Sequence, residues 1–434
     1  MTRTVGLYTL GCKVSQYETE AIGEAFENRG FVVAPFDTPC DAYVINTCTV
    51  TAESDRKSRQ IIRRAITLNP DAVIAVVGCY SQRSSDEVAR IDGVDVVIGT
   101  DNKLEVVERV IFALENPNAD QYVSAPALDG VGFESMCIHR APRTRAYVKI
   151  EDGCESRCTY CAISSARGPV RSKRPEDVIR EVRGLYDSGT REIVLTGIET
   201  GSYGRDFNYD YTLADLIVEL DRQGCCERIR LGSLAPELID NKFVDKVKDA
   251  KILAPHFHLS MQSGSDNVLR AMKRRYNREM ALQNVEYIKE NIKNVQFTTD
   301  LMVGFPGESE EDFLDTVDLV KRIRFIDAHV FAYSKRKGTP AELYDGQIDE
   351  GTKKSRSKRL IAIKNEVRDS VLDEIVARGE PLAVILETYK NGSYTAHSDS
   401  FVEVSVEAKE GLNGEFVTVM PVSHKNGVVC AKLI

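Results

Sequence analysis

The stretch Glu151-Asp152-Gly153-Cys154-Glu155-Ser156-Arg157-Cys158-Thr159-Tyr160-Cys161 places three cysteines at the spacing C-x3-C-x2-C. It directly follows a mostly apolar run at residues 146–150, which predicts a buried strand. Three closely spaced thiolates can bind one soft metal centre, and a cubane iron–sulfur cluster fits them best. Because such clusters usually take four cysteine thiolates, a set of three leaves one iron open to a small molecule that chelates it.

The alternative is that these cysteines pack in a core as small apolar side chains. The charged neighbours Glu151, Asp152, Glu155 and Arg157 make this segment too polar for a core. The chain has eleven cysteines, an odd number, which in a cytosolic protein favours metal ligation over disulfides. We therefore expect this set to bind a cluster.

Length and composition set the frame for the rest of the chain. A chain of 434 residues predicts two or three domains, and 42% hydrophobic with 28% charged residues is ordinary for a globular protein. No run approaches the ~20 apolar residues of a membrane span, so we expect a cytoplasmic protein with no membrane contact. The formal net charge of −9 argues against indiscriminate binding of nucleic acid, so any RNA contact must be local.

Residues 1–118 alternate between strand and helix patterns and predict a doubly wound parallel sheet. The strands are predicted at residues 4–10, 31–33, 42–45, 72–77 and 95–98. Helices are predicted at residues 51–68 and 103–114, and Ser15-Gln16-Tyr17-Glu18 reads as a capping box that opens a helix to about residue 28.

Three cysteines of this domain, Cys12, Cys48 and Cys79, each follow a predicted strand. The carboxyl ends of parallel strands share one edge of a sheet, so these thiols can meet although they are far apart in sequence. They predict a second three-thiolate cluster. Three unrelated buried cysteines remain the alternative at this point, since cysteine often packs as a small apolar residue.

Residues 137–368 continue the β/α pattern. Six strands are predicted, at residues 146–150, 192–196, 228–231, 257–261, 298–303 and 328–333. Six units are too few for a closed eight-fold barrel, so an open, partial (β/α)6 barrel is expected. Its site should lie at the carboxyl ends of the strands.

With Tyr160 just before its last cysteine, the set Cys154, Cys158 and Cys161 resembles that of the radical S-adenosylmethionine (SAM) enzymes. The resemblance implies that SAM chelates the open iron. Around the open iron, Glu199 could bind the amino group of SAM. The polar loop at 260–265 could bind its carboxylate, and Asp300 with the turn at 304–308 could bind its ribose or adenine. The predicted cofactor-binding residues are Tyr160, Thr196, Gly197, Glu199, Ser233, Ser260, Gln262 and Asp300.

Residues 371–434 change to short strands, predicted at residues 383–387, 401–406, 415–419 and 428–433 and separated by Asn-Gly and Gly turns. This pattern predicts a small all-β barrel of a kind that binds nucleic acid. With five Lys and Arg against nine Asp and Glu, this segment is a poor electrostatic surface for RNA, and a plain accessory barrel is the competing interpretation.

Basic residues cluster elsewhere, near the predicted strand ends and between residues 353 and 368. A basic rim around a barrel mouth suits a phosphate-bearing substrate, although such a run is as often a solvated helix face. The predicted RNA-binding residues are Arg167, Arg171, Lys273, Arg274, Arg336, Lys354 and Arg356.

Taken together, the two cysteine sets and the terminal β domain resemble the radical SAM methylthiotransferases over essentially the full chain. The resemblance implies an N-terminal methylthiotransferase domain, a radical SAM core and a C-terminal TRAM domain, with two 4Fe-4S clusters. The stretches at 166–172, 192–204, 255–272 and 327–340 look most like the branch that modifies threonylcarbamoyladenosine in tRNA. Two departures stand out: Glu199 where histidine is expected, and Ile163-Ser164-Ser165 in place of Ile-Pro-Tyr.

The family's chemistry implies that the central cluster reduces SAM to a radical and that the N-terminal cluster presents methylated sulfur to the base. We expect the anticodon stem-loop of tRNA as partner, flavodoxin or ferredoxin as reductant, and a monomer. Cys40, Cys137, Cys225, Cys226 and Cys430 match neither set and are expected to be structural.

Three alternatives stay open. The same chemistry could act on isopentenyladenosine in tRNA or on an aspartate of a ribosomal protein. A different class is an iron–sulfur electron carrier with an RNA-binding tail, which would require fully ligated clusters.

Overall fold

The computed structural model describes residues 2–141 and 144–434, and its N-terminal domain is built on a parallel sheet. The strands are β1 (Thr4–Thr9), β2 (Val32–Ala34), β3 (Ala42–Thr47), β4 (Val73–Gly78), β5 (Val96–Ile98) and β6 (Tyr122–Ser124). The helices are α1 (Lys13–Asn28), α2 (Ala52–Leu68), α3 (Cys79–Arg83), α4 (Ser85–Ala89) and α5 (Glu105–Glu115). The strand order is β2-β1-β3-β4-β5-β6, and every pair is parallel, so the predicted doubly wound sheet is confirmed.

Two local features differ from the sequence prediction. Helix α1 begins at Lys13 with Cys12 as its N-cap residue, so the capping box predicted at Ser15 is wrong. The reason is that Glu18 is fully buried and pairs with cations of other elements instead of capping its own helix. The sheet also continues beyond residue 118, because β6 pairs with β5.

The central domain is a partial barrel. Its strands are β7 (Arg145–Lys149), β8 (Glu151–Asp152), β9 (Arg171–Ser172), β10 (Glu192–Thr196), β11 (Arg228–Leu231), β12 (Ser233–Leu234), β13 (His256–Gln262), β14 (Gln296–Val303) and β15 (Asp327–Ala332). Its helices are α6 (Ile163–Arg167), α7 (Pro175–Asp187), α8 (Leu213–Gln223), α9 (Asn241–Val247), α10 (Asp266–Ala271), α11 (Arg278–Asn291) and α12 (Glu310–Ile323).

The six predicted strands are all present and lie in the order expected of an open barrel. They form two parallel sheets, β7-β10-β11 and β12-β13-β14-β15, which meet where the chain passes from β11 through Gly232 into β12. One large apolar core joins both sheets to the surrounding helices. This arrangement leaves an open side between β7 and β15, and α1 of the N-terminal domain packs against β7 there.

The C-terminal part is one long helix, α13 (Glu350–Arg378), followed by a closed barrel. The barrel strands are β16 (Leu382–Lys390), β17 (Ser393–Ser398), β18 (Glu403–Glu407), β19 (Phe416–Lys425) and β20 (Val428–Leu433). The small β-barrel is confirmed, with one strand, β17, that the sequence analysis did not predict. Helix α13 runs across the boundary placed between residues 368 and 371.

The C-terminal barrel covers the amino ends of the central strands. Arg230 donates hydrogen bonds to the Ser398 and Asp399 carbonyls, and the Phe401 ring stacks on His256 with ring centroids 4.5 Å apart. The carboxyl ends, at the opposite side, face the N-terminal domain. Within the described residues, the structure contains no helix that combines the length and the apolar character needed to span a membrane.

Candidate active site

The loop that carries the central cysteines is pinned at both ends. Gly153 has a φ of +92°, and a Cβ there would lie 1.9 Å from the Pro169 carbonyl oxygen, so only glycine fits. The Cys154 amide donates to the Gly168 carbonyl at 3.0 Å. Strands β8 and β9 pair on either side of this loop, and together these contacts fix where the three thiols lie.

The thiols of Cys154, Cys158 and Cys161 lie close enough to influence one another. Burial first, and then the other two thiols, raise the pKa of Cys161 to about 12. Two of the sulfurs already accept hydrogen bonds: Cys158 from Arg274 Nη1 at 3.3 Å, and Cys161 from the Ile163 amide at 3.4 Å. Such donors stabilise sulfur ligands of a cluster.

The N-terminal cysteines meet at the sheet edge as predicted. Cys12 follows β1, Cys48 follows β3 and Cys79 begins α3 directly after β4. Burial raises the pKa of Cys79 to about 11, and the thiols of Cys12 and Cys48 add to that rise. Gly11, just before Cys12, has a φ of +126°, and a Cβ there would lie 3.1 Å from Ser15 Oγ and 3.3 Å from Cys48 Cβ.

Each set offers three free cysteine thiols, the ligand type that an iron–sulfur cluster takes. Across the described residues, no three His, Cys, Asp or Glu side chains are grouped tightly enough to hold one metal ion.

Arg167 joins the two cysteine sets. It ends α6, the short helix that follows Cys161, and its Nε donates to Cys79 Sγ at 3.1 Å. The same guanidinium contacts Glu18 at 2.6 Å and Asp152 at 3.1 Å. Arg167, which contacts Cys79 of the N-terminal set, therefore lies six residues after Cys161 of the central set.

A fully buried group of charges surrounds this link. Glu18 Oε1 lies 2.8 Å from Lys103 Nζ, 3.0 Å from Lys149 Nζ and 2.6 Å from Arg167 Nη1. Although burial alone would raise it, these three cations hold the pKa of Glu18 well below its usual value. Sequence analysis missed this group, because its members come from α1, α6, β7 and the loop before α5.

The residues predicted at the end of β10 lie beside the cysteine loop. Thr196 is buried, and a Cβ at Gly197 would lie 2.4 Å from Glu151 Oε2, so this position needs glycine. Glu199 is partly buried, and its Oε1 accepts a hydrogen bond from the Ala235 amide at 3.2 Å. Burial raises the pKa of Glu199 to about 7.

The remaining predicted SAM contacts are distributed over the other strands. Asp300 lies between His258 at 3.2 Å and His329 at 3.3 Å, and Ser233 pairs in register with His258. The Ser260 carbonyl accepts from Arg274 at 3.1 Å. Gln262 follows a bulge with a φ of +61°, and the Tyr160 ring packs edge-on against Phe305. The contacts of these residues with SAM stay predictions.

Most of the arginines predicted to bind RNA are inside the protein, and this corrects the sequence analysis. Arg167 and Arg171 are buried beside Asp152, and Arg274 contacts Cys158. Arg336 pairs with Asp55 at 2.6 Å, and Arg356 pairs with Glu308 at 2.7 Å. A guanidinium held by internal partners cannot reach a phosphate. Of the seven predicted residues, only Lys273 and Lys354 are exposed.

Comparison with known proteins agrees with this architecture. Residues 148–320 match the radical SAM superfamily, and residues 4–99 match the uncharacterized protein family UPF0004. The chain is 40% identical over 96% of its length to the threonylcarbamoyladenosine tRNA methylthiotransferase MtaB of Bacillus subtilis, 93% of which is covered. It is 37% identical over 99% of its length to the protein of that name from Thermotoga maritima, with 97% covered.

A second kind of relative is also similar. The tRNA-2-methylthio-N(6)-dimethylallyladenosine synthase of Desulforamulus reducens is 36% identical over 88% of this chain and 84% of its own. Among solved structures, the radical SAM methyltransferase TsrM of Kitasatospora setae, with cobalamin and a [4Fe-4S] cluster bound, superposes with a TM-score of 0.58. The superposition covers 79% of this chain and 77% of the TsrM chain at 16% sequence identity, which shows a shared fold.

A partial barrel with an open three-cysteine loop, attached to a doubly wound domain, defines a radical SAM enzyme. The chain belongs to the radical SAM methylthiotransferase family. Family membership implies a 4Fe-4S cluster, SAM and a tRNA substrate. Cys154, Cys158 and Cys161 are free thiols on one loop and would supply the ligands of that cluster.

Proposed function

We propose that this enzyme converts N6-threonylcarbamoyladenosine, next to the anticodon of tRNA, to its 2-methylthio derivative, and that it uses a second 4Fe-4S cluster on Cys12, Cys48 and Cys79. The observation that carries the proposal is the link through Arg167. The Arg167 guanidinium contacts Cys79 of the N-terminal set. Arg167 is also the last residue of α6, the helix that starts beside Cys161 of the central set.

The reaction explains why two sets are needed. The hydrogen on C2 of adenine is unactivated, and no side-chain acid or base can remove it. When bound, SAM and the central cluster would supply the radical that removes this hydrogen, and the N-terminal cluster would supply the sulfur. The protein must hold the two sites at a fixed separation with the base between them.

The chain's own residues provide this positioning. The buried charges around Glu18 hold α1, and with it Cys12, against β7 of the barrel. Arg274 and the Ile163 amide orient two of the central sulfurs. The C-terminal barrel covers the amino ends of the strands, which leaves the carboxyl ends as the route for the substrate and keeps water away from the floor of the site.

The choice of nucleoside rests on similarity to the proteins named threonylcarbamoyladenosine tRNA methylthiotransferase in Bacillus subtilis, Thermotoga maritima and Aquifex aeolicus. Dimethylallyladenosine is the second candidate, because relatives at 32–37% identity are named for it. We also propose that flavodoxin or ferredoxin donates the electron, since the cluster needs a low-potential reductant, and that the enzyme is a cytoplasmic monomer.

The test uses the reconstituted enzyme under anaerobic conditions with SAM and dithionite. Anticodon stem-loops carry threonylcarbamoyladenosine, dimethylallyladenosine or plain adenosine, and the digested nucleosides are analysed by mass spectrometry. We expect a 2-methylthio product from the first stem-loop only. A product from the second alone would shift the assignment to dimethylallyladenosine, and 5′-deoxyadenosine without any methylthio product would overturn the assignment to either nucleoside.

A further inference from the structure

The loop that follows β15, residues 333–341, crosses from the central domain to the N-terminal domain, and we call it the bridging loop. It begins at the carboxyl end of β15, and its Arg336 is buried. Arg336 pairs with Asp55 at 2.6 Å and donates a hydrogen bond to the Thr49 hydroxyl. Because Thr49 directly follows Cys48, these contacts place the bridging loop beside the N-terminal cysteine set.

Two further hydrogen bonds extend the bridging loop over both cysteine sets. Arg83 Nη2 donates to the Lys337 carbonyl at 2.8 Å, and Arg83 is the last residue of α3, the helix that begins at Cys79. The Ala341 amide donates to the carbonyl of Thr159 in the central cysteine loop at 2.9 Å. The bridging loop therefore lies at the rim of the site, in contact with elements that carry cysteines of both sets.

Lys335 and Lys337 stand on either side of the buried Arg336, and both are exposed. Whereas Arg336 has an internal carboxylate, neither lysine forms an ion pair within the part of the chain that the structure describes. Glu342, the acidic residue of the adjoining turn, accepts a hydrogen bond from the Gly338 amide at 2.8 Å instead. The rim thus presents two cations that have no anionic partner.

The backbone that carries these lysines is fixed before any ligand binds. The Thr339 hydroxyl and amide both donate to the Arg336 carbonyl, at 2.7 and 3.1 Å. Together with the contacts of Arg336 and Lys337 to the N-terminal domain, these bonds hold the loop in one conformation. A ligand that binds here does not have to order the backbone first, which favours binding.

A tRNA substrate has to bring phosphates to this rim. One sugar joins each base to the backbone, so a base that enters the site leaves its neighbouring phosphates at the entrance. The chain carries a formal net charge of −9, so it attracts RNA only where cations locally outnumber carboxylates. Lys335 and Lys337 meet this condition, unlike the buried Arg336 between them.

We propose that Lys335 and Lys337 bind two backbone phosphates of the anticodon loop beside the modified nucleotide. Such contacts position the RNA and do not read its sequence. The inference rests on the tRNA substrate of the proposed function, but not on the choice of nucleoside. An acidic electron-donor protein is the other partner that such cations attract. The position of the lysines at the entrance for the base favours RNA.

The test compares the reconstituted wild-type enzyme with the double variants Lys335→Gln/Lys337→Gln and Lys335→Arg/Lys337→Arg. The matched control is Lys251→Gln/Lys293→Gln, which removes the same charge from exposed positions before β13 and β14, near the amino ends of the strands. Anaerobic fluorescence anisotropy measures Kd for labelled anticodon stem-loops that carry threonylcarbamoyladenosine or plain adenosine. Each Kd is measured over a range of salt concentrations.

We expect the glutamine double variant to weaken binding by about 5- to 30-fold at low salt. The slope of log Kd against log salt concentration should fall by about 1.5, because two phosphate contacts are lost. Both stem-loops should be affected by the same factor, since phosphates do not depend on the base. The arginine variant and the control pair should bind as the wild type does, and SAM binding should not change in any variant.

Unchanged affinity and salt slope in the glutamine variant, or an equal loss in the control pair, would overturn the inference. A loss confined to the threonylcarbamoyladenosine stem-loop would also overturn it, because the lysines would then recognise the modified group. If RNA binding were unchanged and activity fell only when flavodoxin replaced dithionite, the surface would belong to the electron donor. A wild-type enzyme that binds both stem-loops through these lysines but modifies neither nucleoside would overturn the proposed function alone.

Discussion

Arg274 connects the central cysteine set to the barrel wall. Its Nη1 donates to Cys158 Sγ and its Nη2 to the Ser260 carbonyl, while its guanidinium lies over the Tyr276 ring at 5.1 Å. A positive donor on a sulfur ligand stabilises the thiolate that binds iron. Arg274 therefore supports the cluster, which is a different role from the RNA contact predicted from its position in a basic run.

Replacing Arg274 with methionine should weaken retention of the cluster, because Cys158 loses its charged donor. We expect a chelator to remove the iron at about one-tenth of the concentration that the wild-type enzyme requires, or at a still lower concentration. This is the usual scale for a residue that orients a metal ligand. Iron and acid-labile sulfide per chain measure this. The control is Lys273→Met, which removes the exposed neighbouring cation, and equal iron loss in both variants would contradict the role of Arg274.

Glu199 should make stability depend on pH. Burial raises its pKa from 4.5 to about 7, so the folded state holds the proton where the unfolded state releases it. Stability is therefore lost as the pH rises from about 4.5 to 7. Glu199→Gln removes this penalty and should stabilise the cluster-free protein by about 1–3 kcal/mol at pH 8, and much less at pH 5.

Thermal unfolding at the two pH values measures this difference. Glu290→Gln, at an exposed position on α11, provides the control. If Glu199→Gln stabilised the protein equally at pH 5 and pH 8, the Glu199 carboxyl would be ionised in the folded state as well as in the unfolded state.

At the scale of single residues, the sequence identified the cysteines better than the arginines. Cys12, Cys48 and Cys79 could be placed together because strand ends in a parallel sheet share an edge. The burial of Arg167 could not be predicted, since it depends on Glu18, which is 149 residues away in the chain. A basic residue is usually on the surface, and only the fold reveals the carboxylates that bring it inside.

Among the secondary-structure elements, α1 connects the N-terminal domain to β7 of the central barrel. Glu18 on this helix neutralises Lys103, Lys149 and Arg167, which come from both domains. Its lowered pKa contributes stability that is present at neutral pH and lost as the pH falls towards the pKa of the folded state.

Glu18→Ala leaves buried cations without their shared carboxylate, and we expect a loss of about 3–5 kcal/mol in the free energy of unfolding. Urea unfolding measures the loss. Limited proteolysis should show the N-terminal domain released first. Glu27→Ala, which removes a surface pair with Arg140, should cost less than about 1 kcal/mol. Similar losses in the two variants would mean that the buried group does not hold the domains together.

The sequence predicted the regular elements where their patterns were simple. The buried strands β3 and β4 contain continuous apolar runs, at residues 42–45 and 73–77, and both were found. Strand β17 was missed, because only two of its six residues, Tyr394 and Ala396, are apolar and its buried last residue is Ser398. The start of α1 was misplaced because Ser15 and Glu18 have the spacing of a capping box, and only the fold shows that Glu18 faces the barrel.

At the scale of the whole molecule, the three parts enclose one site from different sides. The C-terminal barrel covers the amino ends of the central strands, and α1 fills the open side. The N-terminal cysteines lie over the carboxyl ends, linked to the central loop by Arg167. The sequence indicated the three parts, but their relative arrangement depends on buried ion pairs that sequence patterns do not reveal.

The proposed reaction gives the two cysteine sets separate tasks. In anaerobic reactions with SAM, dithionite and the threonylcarbamoyladenosine stem-loop, both 5′-deoxyadenosine and the 2-methylthio nucleoside are quantified by mass spectrometry for Cys158→Ala and Cys48→Ala. We predict that Cys158→Ala forms neither compound, while Cys48→Ala forms 5′-deoxyadenosine without the methylthio product. A methylthio product from Cys48→Ala would contradict the account.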